Sequence, residues 1–274
     1  MPARSGTSPP SRGCERAGAV IELKTSADIQ ALRAAGQVVA AALAAVRAAA
    51  APGVHLEQLD ERATTVIEGA GAVPAFRGYR PRFAARPFPA SICASVNEVV
   101  VHGIPDRTVL RDGDLLSVDC GAVLDGWVGD AAFSMVVGTA AAEDLALIAD
   151  TRAALHAGID AARPGNRLGD IGAAIGAIGR GRGYGIPEGW GGHGVGRAMH
   201  EEPSVPNEGR QGRGLRLRAG MVLAIEPMFL SGGDDATRVA DDGWSVVTVD
   251  GSRSAHEEHT VAVTSDGPVV LTAP

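Results

Sequence analysis

Two similar apolar runs in this chain each end in an acidic side chain. LRDGDLLSVD ends in Asp119, and LRAGMVLAIE, further along, ends in Glu226; both contain Leu-Arg followed by a glycine turn. A buried ionised group without a partner is costly, and no Lys or Arg lies between Arg111 and Arg152 to neutralise Asp119 locally. Taken alone, Asp119 is more typical of a strand-end cap or a solvated edge residue. The recurrence in a second run favours a site where acids share a cation.

A hairpin signal brings a third acid into the same region. The Asp-Gly pair at 125–126 stands between two apolar runs, which is typical of a two-residue hairpin loop. Counting back from that loop places Gly121 opposite Asp130. Because side chains alternate along a strand, Asp119 and Asp130 are predicted to share one face as diagonal neighbours, roughly 7 Å apart at Cβ. Two like charges at that distance call for a cation.

The second half of the chain supplies a matching acid. SAHEEHTVAV contains Glu257 and Glu258 at the start of an apolar strand, and Glu258 occupies the place before His-Thr-Val that Asp130 has before Ala-Ala-Phe. Glu257 is predicted to face the other way, since neighbouring residues of a strand alternate. One acid from each of four strand positions would give an oxygen-rich pocket.

Imidazole ligands come from the glycine-rich stretch GWGGHGVGRAMHEEP, which contains His193 and His200. Their odd spacing would turn them to opposite faces of a regular strand, so the spacing does not make both of them ligands; His200 could face a substrate instead. His55 and His156 fall in predicted helices and are read as ordinary histidines. Carboxylates with one or two histidines form a mixed O/N set that suits Mn, Co, Fe or Zn, with enough charge for two ions about 3.5 Å apart.

Three familiar catalytic patterns are disfavoured. Residues 189–194, GWGGHG, match Gly-x-Gly-x-x-Gly formally, but no apolar strand precedes them and no helix follows. The pattern His-Glu-Glu-His at 256–259 has its histidines three apart, which differs from the helical zinc motif, and no Gly-x-Ser-x-Gly elbow exists. Dinucleotide binding, thermolysin-like chemistry and serine-hydrolase chemistry are therefore disfavoured.

A repeated unit would position these acids. From Ser26 an N-cap-like opening leads into apolar residues at helical spacing that stop at Pro52-Gly53, and a second helix follows over roughly 55–69. A helix closed by Pro164-Gly165, a second helix and an acid-ended strand then recur in the same order. A unit that occurs twice is no solenoid, so we predict an α/β fold with two similar halves around one sheet, forming a single domain over 22–274.

Composition limits the class of protein. The chain has 274 residues, 45% of them hydrophobic, and a formal net charge of −7, which argues against nucleic-acid binding through global basicity. Residues 1–21 lack an apolar signal-peptide core and are predicted to be a disordered tail, and no run of 18 apolar residues indicates a membrane span. Cys14, Cys93 and Cys120 are scattered, which favours reduced thiols and a cytoplasmic protein. Lys24 is the one lysine.

At these residues the sequence resembles a type I methionine aminopeptidase. The resemblance runs from about residue 22 to the end through SICASVNEVVVHGIP, DGDLLSVDCGAVLDGWVGDAAFSMVVG, GGHGVGRAMHEEPSVPN, LRAGMVLAIEPM and the DGWSV and HEEHTVAVT segments. It implies the pita-bread fold, with pseudo-two-fold halves around a mainly antiparallel sheet, and two divalent ions per chain. It also implies the ligands: Asp130 and Glu258 bridging both ions, Asp119 on one, and His193 with Glu226 on the other.

The same resemblance implies residues that contact substrate. His102 and His200 would lie beside the metals as catalytic groups, and Phe88, Cys93 and Trp244 would form walls of a methionine pocket. This chain departs from the pattern at Met199, where the bacterial enzymes have an aromatic residue, and in the long Arg-rich stretch at 77–86. It has neither the helical insertion of type II enzymes nor a Cys-rich extension before the domain.

The implied reaction is removal of the initiator methionine from nascent polypeptides, with a small second residue preferred and Glu226 carrying the proton to the leaving amine. An Xaa-Pro aminopeptidase of the same fold is the nearest alternative, although those enzymes carry a large extra N-terminal domain. A non-catalytic binding protein on this scaffold is another, and the intact ligand set argues against it. The family suggests a monomer. Arginines at 77–86 and 210–218 could contact ribosomal RNA, although solvated basic loops are the simpler interpretation.

Overall fold

The structure, a computed structural model, describes residues 21–81 and 84–273. Most of the predicted tail, together with Cys14 and Arg82, lies outside the described residues. Ile21 is described and packs against the core of the second half. Within the described part of the chain, four helices form: α1 (Ser26–Ala49), α2 (Leu56–Gly69), α3 (Ala142–Ala161) and α4 (Leu168–Arg182).

The strands of the first half are β1 (Val73–Pro74), β2 (Ile92–Val96), β3 (Val99–Val101), β4 (Leu115–Leu124) and β5 (Trp127–Val136). Those of the second half are β6 (Gly191–Gly194), β7 (Glu201–Pro206), β8 (Val222–Ile225), β9 (Met228–Leu230), β10 (Thr237–Val239), β11 (Val246–Thr248), β12 (Ser254–His256), β13 (Glu258–Thr264) and β14 (Gly267–Val270).

The first helix shows why the predicted elements form. Thr25 and Asp28 make a capping box at its start, with the Thr25 amide donating to Asp28 Oδ2 over 2.8 Å. By length and composition alone α1 could cross a membrane. Its apolar stripe, however, packs in the protein core against β4 and β5, as the complete burial of Val39 and Val46 shows. The helix therefore belongs to the core of the first half.

One sheet joins the two halves. Its strand order is β1-β4-β5-β13-β8-β6-β7, with β2 added on β4 and β14 on β13, and all of these pairings are antiparallel. The central β5–β13 pair connects the β4–β5 hairpin of the first half to the β8–β13 pair of the second. This arrangement confirms the predicted class, an α/β fold of duplicated halves around a mainly antiparallel sheet.

One face of the sheet packs against the helices, and the other carries the acids. Leu116, Val118 and Cys120 of β4 pack with α1 and α2 in one core cluster. In the second half, Leu223 and Val261 pack with α3 and α4 in another. Because side chains alternate along a strand, the odd-numbered residues of β4 and the even-numbered residues of β8 and β13 point to the opposite face. The helices thus cover one face and leave the other for the acids.

Helix α1 comes close to the sheet at Gly129 of β5, where there is no side chain. A Cβ atom on Gly129 of β5 would lie 2.7 Å from the backbone nitrogen of Gly36 in α1. Real Cβ atoms do not come that close to backbone, so the first helix can lie against β5 only because Gly129 lacks a side chain.

Candidate metal centre

The hairpin places the first two acids as the sequence predicts. In the β4–β5 pair, Leu124 lies opposite Trp127, Gly121 opposite Asp130, and Asp119 opposite Ala132. Asp119 and Asp130 are therefore diagonal neighbours on one face, and the predicted register is confirmed. Ala132, directly across from Asp119, has only a methyl group and leaves open space between the acids.

Strand β13 brings an acid of the second half to the same place. Glu258 pairs with Ala132 from the other side, so it lies in one row with Asp119 and on the same face. The next strand, β8, ends at Ile225 and is followed directly by Glu226. Across three strands, two halves of the chain thus contribute acids to a single row.

The neighbouring row supplies the histidine. His193 of β6 pairs with Ala224 of β8, and Ala224 pairs with Thr260 of β13. The His193 Nδ1–H donates to the carbonyl oxygen of Gly194 over 2.9 Å, because a carbonyl can only accept. This fixes the tautomer and leaves the Nε2 lone pair to face the acids, which is the orientation that a metal-binding imidazole requires.

The five side chains predicted as ligands lie together. His193 Nε2 is 3.6 Å from Asp130 Oδ2 and 3.6 Å from Glu226 Oε1. Donor atoms of Asp130, His193 and Glu258 lie within 4.8 Å of one another. Asp119 acts electrostatically on both Asp130 and Glu258.

The electrostatics of this cluster demand a cation. Burial raises the pKa of Asp119 to about 7, and burial together with neighbouring acids raises the pKa values of Asp130 and Glu258 well above their ordinary range. Burial would also raise the pKa of Glu226, but His256 and His193 outweigh it, so that pKa is lowered. Without a cation three of the carboxyls are therefore held towards their protonated forms.

Unsatisfied oxygens show that the residues fit a metal. Among the described residues, buried oxygens of Asp119, Asp130 and Glu258 have no hydrogen-bond partner. Three unpaired carboxylate oxygens that point to the same place, beside an imidazole nitrogen, form a suitable ligand set for divalent transition-metal ions. The negative charge of four carboxylates matches two such ions.

His102 and His200 lie beside this cluster. The His102 ring packs edge-on against Trp190 at 5.2 Å, and burial lowers the pKa of His102 to about 4. The His200 ring lies 4.2 Å from the His193 ring and stacks on Tyr79 at 5.2 Å. Burial, followed by the proximity of His193, lowers the pKa of His200 to about 4, so both rings are neutral at physiological pH.

His193 and His200 are not joined by a regular strand, so their odd spacing does not turn them to opposite faces. Residues 196–200 form a series of bends. The chain therefore turns back, and His200 returns to the same side as His193. Glu257 does face away, as predicted, and its Oε1 accepts a hydrogen bond from Arg152 Nη2 over 2.8 Å.

An apolar pocket opens onto the acids. Phe88, Cys93 and Trp244 line it, as the resemblance implied, and so do Phe76, Tyr79 and Met199. Met199 thus forms part of the pocket wall. Cys93 and Cys120 are buried free thiols.

One buried residue of the site escaped sequence reasoning. The His256 Nε2 atom lies 3.6 Å from Glu226 Oε2, and the ring is almost completely buried. Burial lowers the pKa of His256, but Glu226 and Asp119 more than compensate, so that pKa is raised. The two-residue spacing between His256 and Glu258 was a signal that both could face one side.

Comparison with known proteins places this chain in a class. A family model for metallopeptidase family M24 matches residues 30–265. The chain belongs to that family.

Individual members of the family are similar to this chain over nearly its whole length. Methionine aminopeptidase 1 of Mycobacterium tuberculosis (strain CDC 1551 / Oshkosh) is 55% identical over 260 residues, covering 92% of this chain and 95% of that protein. The methionine aminopeptidase of Clostridium acetobutylicum is 44% identical over 254 residues, covering 92% and 99%. These similarities confirm the resemblance to type I methionine aminopeptidases.

Solved structures agree. The crystal structure of methionine aminopeptidase from Thermotoga maritima has a TM-score of 0.89 and 41% sequence identity, covering 93% of this chain and 100% of that one. A prolidase from Pyrococcus furiosus has a TM-score of 0.72 at 20% identity, and this chain covers 65% of its length. The similarity to the prolidase shows only a shared fold.

Proposed function

We propose that this protein is a dinuclear-metal methionine aminopeptidase that removes the initiator methionine from nascent polypeptides and prefers a small second residue. The observation that carries the proposal is the juxtaposition of a buried O/N donor cluster with a pocket walled by apolar side chains. An unbranched, apolar methionine side chain suits such a pocket, and the scissile amide would then lie over the donor cluster.

The five clustered side chains would hold the metal. Asp130 and Glu258, on the two central strands of the sheet, would hold the ions together with Asp119, His193 and Glu226. Two divalent ions of Co, Mn, Fe or Zn would supply a water nucleophile at neutral pH and polarise the scissile carbonyl.

Proton transfer is assigned to Glu226. The pKa of this carboxyl stays low because His256 and His193 outweigh its burial, so it is ionised before the reaction and can accept a proton. It lies at the rim of the cluster and lines the pocket, within reach of the leaving amine. Glu226 would take the proton from water and deliver it to that amine.

His102 and His200 would act on the scissile amide. Both rings line the pocket next to Glu226, and both are neutral, so each can donate one N–H without adding a full charge. Preorganised donors of this kind stabilise the charge that develops on the amide, typically by about 3 to 4 kcal/mol for one donor.

Exopeptidase action follows from the position of Asp119. This carboxyl lines the pocket, and one of its oxygens has no hydrogen-bond partner among the described residues. It would accept a hydrogen bond from the substrate's free α-amino group. A residue with a blocked amino group, or one inside a polypeptide, offers no free α-amino group. Its scissile amide would therefore not be placed over the donor cluster.

The remaining assignments follow from the same proposal. We infer that residues 22–274 act as one catalytic unit, monomeric and located in the cytoplasm, where nascent chains emerge. Four arginines on the loop after β7 are exposed and could make transient contact with ribosomal RNA: Arg210, Arg213, Arg216 and Arg218. Salt-sensitive co-sedimentation with ribosomes is expected; absent or salt-insensitive co-sedimentation would dismiss that contact.

One assay tests the activity. Purified protein is stripped of metal, reloaded with single ions and offered Met-Ala-Ser, Met-Lys-Ser and Ala-Pro-Ala. Metal-dependent release of methionine from Met-Ala-Ser, with much slower release from Met-Lys-Ser, is expected. Cleavage of Ala-Pro-Ala alone would indicate an Xaa-Pro aminopeptidase, and metal binding without any cleavage would indicate a binding protein.

His193→Ala provides the matched loss-of-function variant, with His156→Ala on the exposed side of α3 as its control. The first is expected to abolish metal-dependent cleavage because it removes the imidazole whose Nε2 lies 3.6 Å from both Asp130 and Glu226. Full activity in His193→Ala would end the proposed metal mechanism.

A further inference from the structure

The one lysine of this chain occupies an unusual place. The side chain of Lys24 is only 1% exposed, although lysine is among the residues least often buried. Its backbone N–H donates to the Gly220 carbonyl over 2.7 Å, which anchors the segment before α1 to the loop before β8. A buried ammonium needs anionic partners, and their identity indicates what the residue does.

Lys24 has two carboxylate partners of different character. Its Nζ donates to Glu22 Oε2 over 2.7 Å and to Glu201 Oε2 over 3.0 Å. The Glu22 side chain is 66% exposed, so solvent screens that pair and its contribution is small. Glu201 is 23% exposed and lies far away in the sequence, directly after His200. The pair that ties distant parts of the fold together is Lys24–Glu201.

Glu201 in turn holds a loop. Its other oxygen, Oε1, accepts the backbone N–H groups of Arg197 over 2.8 Å and of Ala198 over 3.1 Å. Residues 196–200 are bends, and one end is tied to β5 through the hydrogen bond from the Val128 amide to the Gly196 carbonyl. The Glu201 carboxylate thus caps the loop through its Oε1 atom, and Lys24 holds the carboxylate in place through the Oε2 atom.

That loop carries two residues of the site. Met199 forms part of the apolar pocket wall, and His200 faces the donor cluster with its ring 4.2 Å from the ring of His193. Neither residue belongs to a regular element, so their positions depend on how the loop is held. Tyr79 stacks on one side of His200, and the Glu201 cap fixes its backbone.

Gly196 makes room for the pair. A Cβ atom there would lie 2.5 Å from Glu201 Oε1 and 2.7 Å from Lys24 Cε. The glycine does not adopt a left-handed conformation, so the space, and not the backbone angle, excludes a side chain. The unbranched alkyl part of the Lys24 side chain passes under this glycine. This gives a physical reason why position 24 is a lysine, whereas every other Lys or Arg position of the chain is an arginine.

We propose that the Lys24–Glu201 ion pair positions His200 and Met199 for catalysis, so that Lys24 is a positioning residue of the aminopeptidase reaction. The inference rests on the proposed function and adds to it a link between the segment before α1 and the active site. Lys24 acts through Glu201 and the 196–200 loop and does not itself touch the substrate.

The test uses two independent perturbations of the metal-loaded full-length enzyme. Lys24→Met removes the ammonium but keeps the stem, and Gly196→Ala pushes Glu201 and Lys24 apart. Glu22→Gln, which removes only the exposed partner, and Gly181→Ala, where an added Cβ meets open space, are the controls. Both perturbations are expected to lower kcat on Met-Ala-Ser by about tenfold to a hundredfold, as small displacements near reacting atoms do. Both controls should retain wild-type kcat.

Metal binding and folding are measured on the same samples. The affinity for Mn²⁺ by calorimetry should stay within about twofold of the wild type, because the five candidate ligands are untouched. A lower unfolding temperature with unchanged kcat at 25 °C in both variants would mean that the pair only stabilises the fold, and would overturn the proposal. Gly196→Ala keeps the test decisive if Lys24→Met does not fold.

A double-mutant cycle decides whether Lys24 acts through His200. In a His200→Ala background the effect of Lys24→Met on kcat should be clearly smaller than in the wild type, since one of the two positioned residues is gone and only the contribution of Met199 is left. The same fold-loss in both backgrounds would overturn the proposal. An inactive wild type with every metal would instead refute the proposed function, so the two failures are distinguishable.

Discussion

Proton release on metal binding is the sharpest consequence of the buried acid cluster. In the absence of metal, burial and mutual repulsion favour protonated Asp119, Asp130 and Glu258. A divalent ion requires the ionised forms, so each carboxyl that is protonated must lose its proton when the ion binds. Metal affinity is therefore expected to fall as the pH is lowered through 7, since protons compete for the same oxygens.

The number of protons can be worked out from the pKa shifts. With a pKa of about 7, Asp119 is about 90% protonated at pH 6 and about 10% protonated at pH 8. The pKa values of Asp130 and Glu258 are raised well above the ordinary range, so these carboxyls add to the proton count. Asp119 alone should release about 0.9 proton at pH 6 and about 0.1 proton at pH 8 when metal binds, a difference of about 0.8.

Calorimetry measures this directly. Titrating Mn²⁺ into metal-free protein in buffers of different ionisation enthalpy gives the proton count as the slope of observed enthalpy against buffer enthalpy. Glu258→Gln removes one titrating carboxyl and should lower the count at pH 6. Glu257→Gln is the matched control, because its side chain faces away and pairs with Arg152, and it should leave the count unchanged.

A slope of zero at both pH values would refute this reasoning. It would mean that the acids are already ionised without metal, so that neighbouring histidines or water stabilise the charges and the cluster does not depend on a cation for its ionisation. An equal drop in proton count for Glu257→Gln and Glu258→Gln would equally contradict the geometry, since only one of them points into the cluster.

Three further outcomes are expected. Gly129→Ala should lower the free energy of unfolding by about 1 to 3 kcal/mol in urea titrations, because its Cβ would press on the backbone of Gly36, whereas Gly181→Ala should not. Phe88→Ala should lower kcat/KM on Met-Ala-Ser by about tenfold or more through lost apolar contact, with unchanged Mn²⁺ affinity; an unchanged KM would remove Phe88 from the methionine pocket. His102→Ala should lower kcat by about 10²- to 10³-fold, and because the His102 pKa is about 4, this loss should be equal at pH 6 and pH 8; a loss that varies with pH would contradict a neutral donor.

His200 and Lys24 show where sequence reasoning ends. The spacing of His193 and His200 predicts opposite faces only for a regular strand, and the bends at 196–200 show that no regular strand joins them. Lys24 stands out in the sequence as the one lysine, but nothing in its neighbours indicates Glu201 as its partner. Both positions depend on loop paths, which side-chain periodicity does not describe.

The helices, the strands and the local geometry of the acids were predictable from the sequence. Alternation along strands and an Asp-Gly turn are short-range properties, so the register that sets Asp119 diagonal to Asp130 was readable from the chain, as was the duplication of its halves. Tertiary structure alone decided that the β5–β13 pairing brings Glu258 into the row of Asp119, that His256 lies against Glu226, and that Lys24 supports the His200 loop. These contacts join residues far apart in the chain, and their geometry is fixed by packing of the whole sheet and not by any local repeat.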